Sequence, residues 1–502
     1  MTAVLAIDQG TTGSRALLIG HGGRLLGSAY REFRQYFPSP GEVEHSAEEV
    51  WDSVRLTVAE ALERAGLVPG QVAAVGITNQ RETTIVWDRH TGTPAGPAIV
   101  WQDRRTSERC QALRGTADEQ MIRDRTGLVV DPYFSATKIE WLLERNPDWL
   151  SRAEAGDLVF GTVDSWLVYR LTGGRVHATD HTNASRTLLY SLDTRAWDPD
   201  LCGLFGVPAV MLPEVRSSAG DYGVTDPDVF GAEVPVAGVV GDQQAALYGQ
   251  GAWTADTAKA TYGTGAFVLL HTGDVRRQAA EGVLTTAACG PRGEFAYAFE
   301  GSILIAGAAM QWLRDGLGLI DDAAQSEAMA RAVDDTGGVY FVPAFAGLGT
   351  PWWEPRARGT VVGLTRGTQR EHLVRATLEA MAYSTRDVLD AMTEGRPDSI
   401  DSLRADGGAA RNAWLMQFQA DVLGTPVSVP AAAELTAIGA AGLAGLQTGF
   451  WSEPEQFLAA RGEDLVFEPS AEGRDAAEAG REGWSRALAT SRYWAANAGG
   501  GR

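Results

Sequence analysis

Short apolar runs bounded by turn residues recur along the chain, at residues 4–7, 16–19, 72–77 and 83–87. Their length and their Val and Ile content predict β-strands. Between them lies a longer pattern with a different period. From Glu48 to Ala65 the apolar residues Val50, Trp51, Val54, Val58, Ala61, Leu62 and Ala65 fall at mostly three- and four-residue steps, which draws one buried stripe on a helix. Glu48 and Glu49 suit the positive end of that helix. The second half repeats this grammar, with strands predicted at 258–262, 267–271, 295–299 and 339–343 and long helices at 305–317 and 371–392. Alternation of this kind predicts an α/β fold, with mixed sheets flanked by helices.

One detail ties the halves together. Asp8-Gln9-Gly10-Thr11-Thr12-Gly13 and Thr261-Tyr262-Gly263-Thr264-Gly265-Ala266 both read as strand, Gly-Thr turn, strand, about half a chain length apart. A duplication is expected, with one domain over residues 1–250, a second over 251–502 and a cleft between them. A length of 502 residues also exceeds what one core of ordinary size supports. The Gly499-Gly500-Gly501 end is expected to fray.

Composition narrows the function. With 44% hydrophobic residues and 15 Trp the chain has the content of a large globular core, and a net charge of −21 disfavours nucleic acid and anionic lipid as partners. Cys110, Cys202 and Cys289 are odd in number and widely spaced, which argues against a disulfide framework or a zinc site and for a reducing, cytoplasmic compartment. No apolar run reaches the ~18 residues that span a bilayer, so membrane insertion is not expected. The longest, 436–450, is broken by Gly439, Gly442, Gly445 and Gly449 and reads as a tightly packed helix.

The candidate chemistry sits at turns that follow strands. Asp8, then Gly10, Thr11, Thr12, Gly13, Ser14 and Arg15, would set backbone N–H groups, hydroxyls and a cation around one concavity, a phosphate cradle, with Asp8 as a carboxylate for Mg²⁺. The same residues also make an ordinary hairpin. Gly263-Thr264-Gly265 offers a second such turn. Asp406-Gly407-Gly408-Ala409, ahead of a helix over 412–423, offers a third glycine site where phosphate or a purine can approach. Asp242 ends a strand and opens a helix, which suits either a general base or an N-cap. Arg81-Glu82 suits either hydroxyl binding or a surface ion pair, and Trp101 either a pocket wall or core. His177 and His181 lack a third metal ligand nearby.

Taken in order, Asp8-Gln9-Gly10-Thr11-Thr12, Asn79-Gln80-Arg81-Glu82-Thr83, Val100-Trp101-Gln102-Asp103, Gly241-Asp242-Gln243-Gln244-Ala245, Tyr262-Gly263-Thr264-Gly265, Gln311-Trp312-Leu313-Arg314-Asp315 and Asp406-Gly407-Gly408-Ala409 resemble the FGGY carbohydrate kinase family. The resemblance runs from about Ala3 to Trp484. It implies two actin-like ATPase domains of the ribonuclease H-like type about a deep cleft, and transfer of a phosphoryl group from ATP to glycerol. On this resemblance Arg81, Glu82, Tyr133, Asp242 and Gln243 would bind the glycerol hydroxyls, with Trp101 and Phe267 against its carbon face. Thr11, Thr12, Gly13, Ser14, Arg15, Thr264, Gly307, Gln311, Gly408 and Asn412 would contact ATP, Asp8 would hold Mg²⁺, and Asp242 would be the general base. A homodimer or homotetramer is expected. A kinase of another small polyol or triose, such as erythritol or dihydroxyacetone, and a silent ATP-binding scaffold remain alternatives.

Two departures carry expectations. Gly13 stands where the family usually has Ser, which removes a hydroxyl and loosens the turn, so weaker ATP binding is expected. Some members respond to fructose 1,6-bisphosphate, or to phosphorylation of a His, in the segment before the catalytic Asp. Residues 223–240 contain no Lys, Arg or His and carry Asp226, Asp228 and Glu233, so this chain is expected to respond to neither.

Overall fold

The structure is a computed structural model that describes residues 2–394 and 399–497. The Gly499 to Gly501 end lies outside the described residues.

Five strands build the first sheet: β1 (Ala3–Gln9), β2 (Gly13–Gly20), β3 (Leu25–Glu32), β4 (Val72–Asn79) and β5 (Val236–Gly241). Their spatial order is β3-β2-β1-β4-β5. β1 to β3 run antiparallel as two hairpins, while β4 and β5 run parallel to β1. Helix α1 (Ala47–Ala65) is the one its stripe predicts. Ser46 caps its N-terminus, Gly66 ends it in the left-handed conformation, and Val50, Trp51, Val54, Val58, Ala61 and Leu62 are buried. Helix α2 (Asp242–Gly249) follows β5 directly.

The second sheet contains β6 (Ala258–Tyr262), β7 (Ala266–Gly273), β8 (Leu284–Cys289), β9 (Phe295–Ile303), β10 (Leu403–Gly407), β11 (Val427–Pro430) and β12 (Asp464–Phe467). Its order is β8-β9-β7-β6-β10-β11-β12. Set beside the first sheet, β6, β7, β9, β10 and β11 repeat β1, β2, β3, β4 and β5 in order and in direction. The duplication suggested by the two Gly-Thr turns is thus a duplication of topology. Helices α3 (Gly307–Asp315), α4 (Arg370–Met392) and α5 (Ala413–Leu423) flank this sheet.

One helix departs from a simple division into halves. Helix α6 (Leu435–Gln447) comes from the second half, yet its Leu435, Ile438, Ala440, Ala441 and Ala444 join the core cluster of Val4, Ala6, Leu17 and Val240 on the first sheet. Glycines on both sides allow it to lie that close: a Cβ at Gly76 would sit 2.2 Å from the Ala440 carbonyl oxygen, and one at Gly249 2.1 Å from that of Leu435. The Gly-interrupted run of the sequence is therefore a tightly packed helix, as its pattern predicts. The Ala-, Gly- and Glu-rich tail forms α7 (Ala471–Asn497), whose Ala477, Trp484, Ala487 and Leu488 pack on the second core. Among the described residues no helix is long and apolar enough to cross a membrane.

Candidate active site

In both sheets the parallel strands end on the same edge, the position where open α/β sheets bind ligands. Gln9, Asn79 and Gly241 are in register at the ends of β1, β4 and β5, and Tyr262 and Gly407 at the ends of β6 and β10. The candidate residues follow from these ends.

On the first domain's side a buried charge cluster forms around Arg81. Arg81 and Glu82 are 2% and 1% exposed, so they are not a surface ion pair. The Arg81 guanidinium forks onto Glu300 of β9, at 2.6 and 3.0 Å, donates to Gln244 at 3.1 Å, and brings its Nε within 3.2 Å of an Asp242 oxygen. Arg186 donates to Glu82 at 2.6 Å and to Glu300 at 2.9 Å. The Glu82 backbone is left-handed, φ 62°, an uncommon conformation for a non-glycine residue. Burial alone would raise the Glu300 carboxyl, but Arg186 and Arg81 beside it outweigh that and hold it at about 2.

Asp242 does not cap its helix. Gly241 is the cap residue, and Asp242, in the first turn, accepts from the N–H of Gln243 at 2.7 Å. Its carboxyl is raised by burial, against the lowering effects of Arg81, the Gln243 N–H and Lys259. The Gln243 side chain accepts from Lys259 at 2.5 Å. The Trp101 and Tyr133 rings meet edge to face, centroids 5.5 Å apart, with the Arg186 guanidinium over Tyr133. Pro132, Tyr133 and Phe134 are fastened by Lys138, whose ammonium donates to all three carbonyls. Phe267, on β7 beside Thr261, is half-buried against the small cluster of Leu247, Ala252 and Leu269.

Each Gly-Thr turn is closed by a backbone hydrogen bond from its first glycine, over three residues in the first turn and two in the second. Gly10 N–H donates to the Gly13 carbonyl at 2.9 Å, and Gly263 N–H to that of Gly265 at 2.8 Å. Thr11 accepts from the Trp101 indole at 2.9 Å, which ties the first turn to the aromatic wall. Thr12 is exposed. The second turn receives α3: Ala306 N–H donates to Thr264 and Gly307 N–H to Gly263. A side chain on Gly307 is excluded, because its Cβ would lie 2.6 Å from the Gly263 carbonyl oxygen. Gln311 stands exposed on α3, and Gly408 has open space where a side chain would be. Asn412 caps α5 through Leu415 N–H at 2.9 Å and donates to Ser326.

Ser14 and Arg15 of the first turn, both expected at ATP, are engaged with other residues of the protein. Ser14 faces inward and is fully buried, its hydroxyl shared with Ser53 at 2.7 Å, because β2 alternates and position 14 belongs to the face covered by α1. Arg15 is ion-paired with Glu434 and lies over the Tyr30 ring. At Gly13 a Cβ would meet the Tyr30 hydroxyl at 2.6 Å, so the family's Ser does not fit while Tyr30 holds this position.

Asp8 fits a divalent cation. Burial and the nearby charge of Asp242 raise its carboxyl to about 7, against a lowering effect of Arg15, and among the described residues it has no hydrogen-bond or ion-pair partner. Two neighbouring carboxylates of this kind are stabilised by added positive charge. No cluster of three or more His, Cys, Asp or Glu that could hold a metal exists among the described residues. Magnesium suits such a sparse site, since it is often held by one or two carboxylates together with substrate phosphates and water. His177 and His181 are engaged with the Phe160 carbonyl and the Tyr190 hydroxyl.

Sequence reading missed Glu300, Arg186 and Lys259. Glu300 and Lys259 each interrupt an apolar strand, and a charge in a buried strand was the available signal. Arg186 offered none. Arg175 reaches the segment before Asp242 from elsewhere in the same chain, but it is held by Asp226 at 2.7 Å.

Comparison with known proteins gives the class of protein to which this fold and site belong. The model of the N-terminal domain of the FGGY family of carbohydrate kinases matches residues 3–249, and that of the C-terminal domain residues 258–448. The chain belongs to the FGGY family of carbohydrate kinases. It is 53% identical to the glycerol kinase of Carboxydothermus hydrogenoformans over 98% of each chain. It is also 53% identical to that of Symbiobacterium thermophilum, over 98% of this chain and 99% of the other. The crystal structure of Plasmodium falciparum glycerol kinase with ADP superposes with a TM-score of 0.89 at 34% identity, covering 98% of each chain. A gluconate kinase from Lactobacillus acidophilus shares the fold, with a TM-score of 0.88 at 19% identity over 99% of each chain.

Proposed function

We propose that this enzyme transfers the γ-phosphoryl group of ATP to glycerol, giving ADP and sn-glycerol 3-phosphate. The observation that supports this most is the position of Asp242, in reach of the buried Arg81–Glu82 cluster on one side and close enough to Asp8 to raise its carboxyl on the other. A base between a hydroxyl-binding cluster and a metal carboxylate is what in-line phosphoryl transfer requires.

In this reading Arg81, Glu82, Tyr133 and Gln243 orient the three hydroxyls, and Trp101 and Phe267 cover the carbon chain. Asp242 takes the proton of the attacking hydroxyl; its raised basicity suits that task. The turns at Gly10 to Gly13 and Gly263 to Gly265 hold the nucleotide, with Gly307, Gln311, Gly408 and Asn412 on its far side. Magnesium, held by Asp8, would neutralise charge on the phosphates.

The test is ADP release with Mg²⁺ and ATP, run without acceptor, with glycerol, and with erythritol, dihydroxyacetone, pentoses and hexoses. Glycerol is expected to be turned over fastest, with sn-glycerol 3-phosphate as product. A sugar or another polyol turned over faster would overturn the reading, and no acceptor-dependent release would favour the scaffold alternative.

A further inference from the structure

The chain uses arginine for nearly all of its 43 basic residues; Lys138 and Lys259 are its only lysines. Both are fully buried, and both fasten residues of the proposed polyol pocket. Lys138 needs a lysine because three carbonyls, at 2.6, 2.8 and 3.1 Å, converge on one nitrogen. A tetrahedral ammonium can serve them where a planar guanidinium cannot.

Lys259 belongs to β6, where alternation puts Lys259 and Thr261 on one face and Ala258, Ala260 and Tyr262, members of the second domain's core, on the other. Its ammonium reaches the Gln243 side-chain oxygen at 2.5 Å and the Thr261 hydroxyl at 2.8 Å. Asp406 and Asp242 balance its charge, and burial lowers its pKa to about 8.

An ammonium only donates, so the Gln243 atom facing it must be the carbonyl oxygen, which fixes the amide against a flip. The Gln243 NH₂ group is then turned away from Lys259, and among the described residues it has no partner. We propose that Lys259 is a positioning residue that reaches from the second domain and sets Gln243 as a hydrogen-bond donor to the polyol. This rests on the polyol-kinase reading of the site. Gln243 adds a donor to that of Arg81, leaving the Asp242 carboxylate to accept the proton of the reacting hydroxyl. A lysine of the second domain thereby determines the polarity of a pocket built on the first.

The test is a double-mutant cycle of Lys259→Met and Gln243→Ala, measuring KM and kcat for the polyol and KM for ATP. It is run with whichever acceptor the wild-type chain turns over fastest, so that rejection of glycerol overturns the functional reading while the cycle still decides this one. Lys259→Met is expected to raise the polyol KM roughly tenfold, the order lost with one charge-assisted hydrogen bond, and to leave the ATP KM within about twofold. In the Gln243→Ala background the same change should add less than about twofold. An undiminished effect in that background, or an effect confined to the ATP KM, overturns the proposal. Two measurements cover a poorly folding Met variant. Lys259→Arg, which keeps the charge but not the compact ammonium, should also raise the polyol KM, and wild-type behaviour would count against the proposal. In the unmutated protein ¹⁵N-lysine NMR has only two side-chain amines to report; the Lys259 signal should shift on adding polyol without nucleotide, and an unmoved signal overturns the proposal.

Discussion

The two sheets share one topology, yet their third strands differ. In the first, β3 lies at the sheet edge and is largely exposed or half-buried, with Leu25 50% and Tyr30 46% exposed. In the second, β9 is covered by β8 on one side and β7 on the other and is buried for nearly its whole length. Its Glu300 faces the first domain and holds both Arg81 and Arg186. The same scaffold thus presents an exposed edge beside the first turn and a buried, ion-paired carboxylate facing the first domain. A duplicated fold becomes asymmetric where one copy's strand is buried against the other copy.

The largest expected effect tests the division of labour. Asp242→Asn should lower kcat by roughly 10² or more, the scale of a lost general base, with ATP affinity near wild type. Retained turnover would mean that the carboxylate only starts a helix, and steady-state kinetics with glycerol and ATP separates the two outcomes.

Next is the cross-domain carboxylate. Glu300→Gln leaves Arg81 and Arg186 short of a buried anion, and removing one partner of such a pair costs about 3–5 kcal/mol. Urea unfolding should report the loss and assay a raised glycerol KM. The depressed Glu300 carboxyl also gives a sign for pH. Its stabilisation is fully present above the ordinary glutamate range, near 4.5, and is lost as pH falls toward about 2, since the unfolded chain binds more protons across that window. The Gln variant should lack this part of the acid sensitivity.

A smaller effect is expected where α2 and α6 cross. A Cβ at Gly439 would lie 2.1 Å from the Ala245 carbonyl oxygen, so Gly439→Ala should cost about 1–3 kcal/mol by overpacking. A shift in melting temperature measures it, and an unchanged value would mean that the helices separate freely. Smallest of all is the response to fructose 1,6-bisphosphate. Arg175 is the cation that approaches the segment before Asp242, and Asp226 already neutralises it, so titration into the glycerol assay should leave the rate unchanged. Saturable inhibition would show an anion site there.

Many of the strands and helices in both halves, though not β3, β8, β11 or β12, were legible in the sequence, because period and turn chemistry are local properties. So were the Gly-Thr turns and the residues at strand ends, since a parallel strand delivers its last residues to one edge wherever it lies. Burial was not legible. Arg81-Glu82 reads the same on a surface as in a core, and only the approach of β9 and Arg186 makes it a desolvated network. Ser14 shows the reverse: its place in the motif suggests a phosphate contact, but its parity along β2 turns it toward α1. Helix α6 was recognisable as a close-packing helix from its glycines, while the sheet it covers was decided by tertiary structure. Local pattern determines which groups each element carries, and long-range packing determines which of them lose water and therefore which charges must find partners.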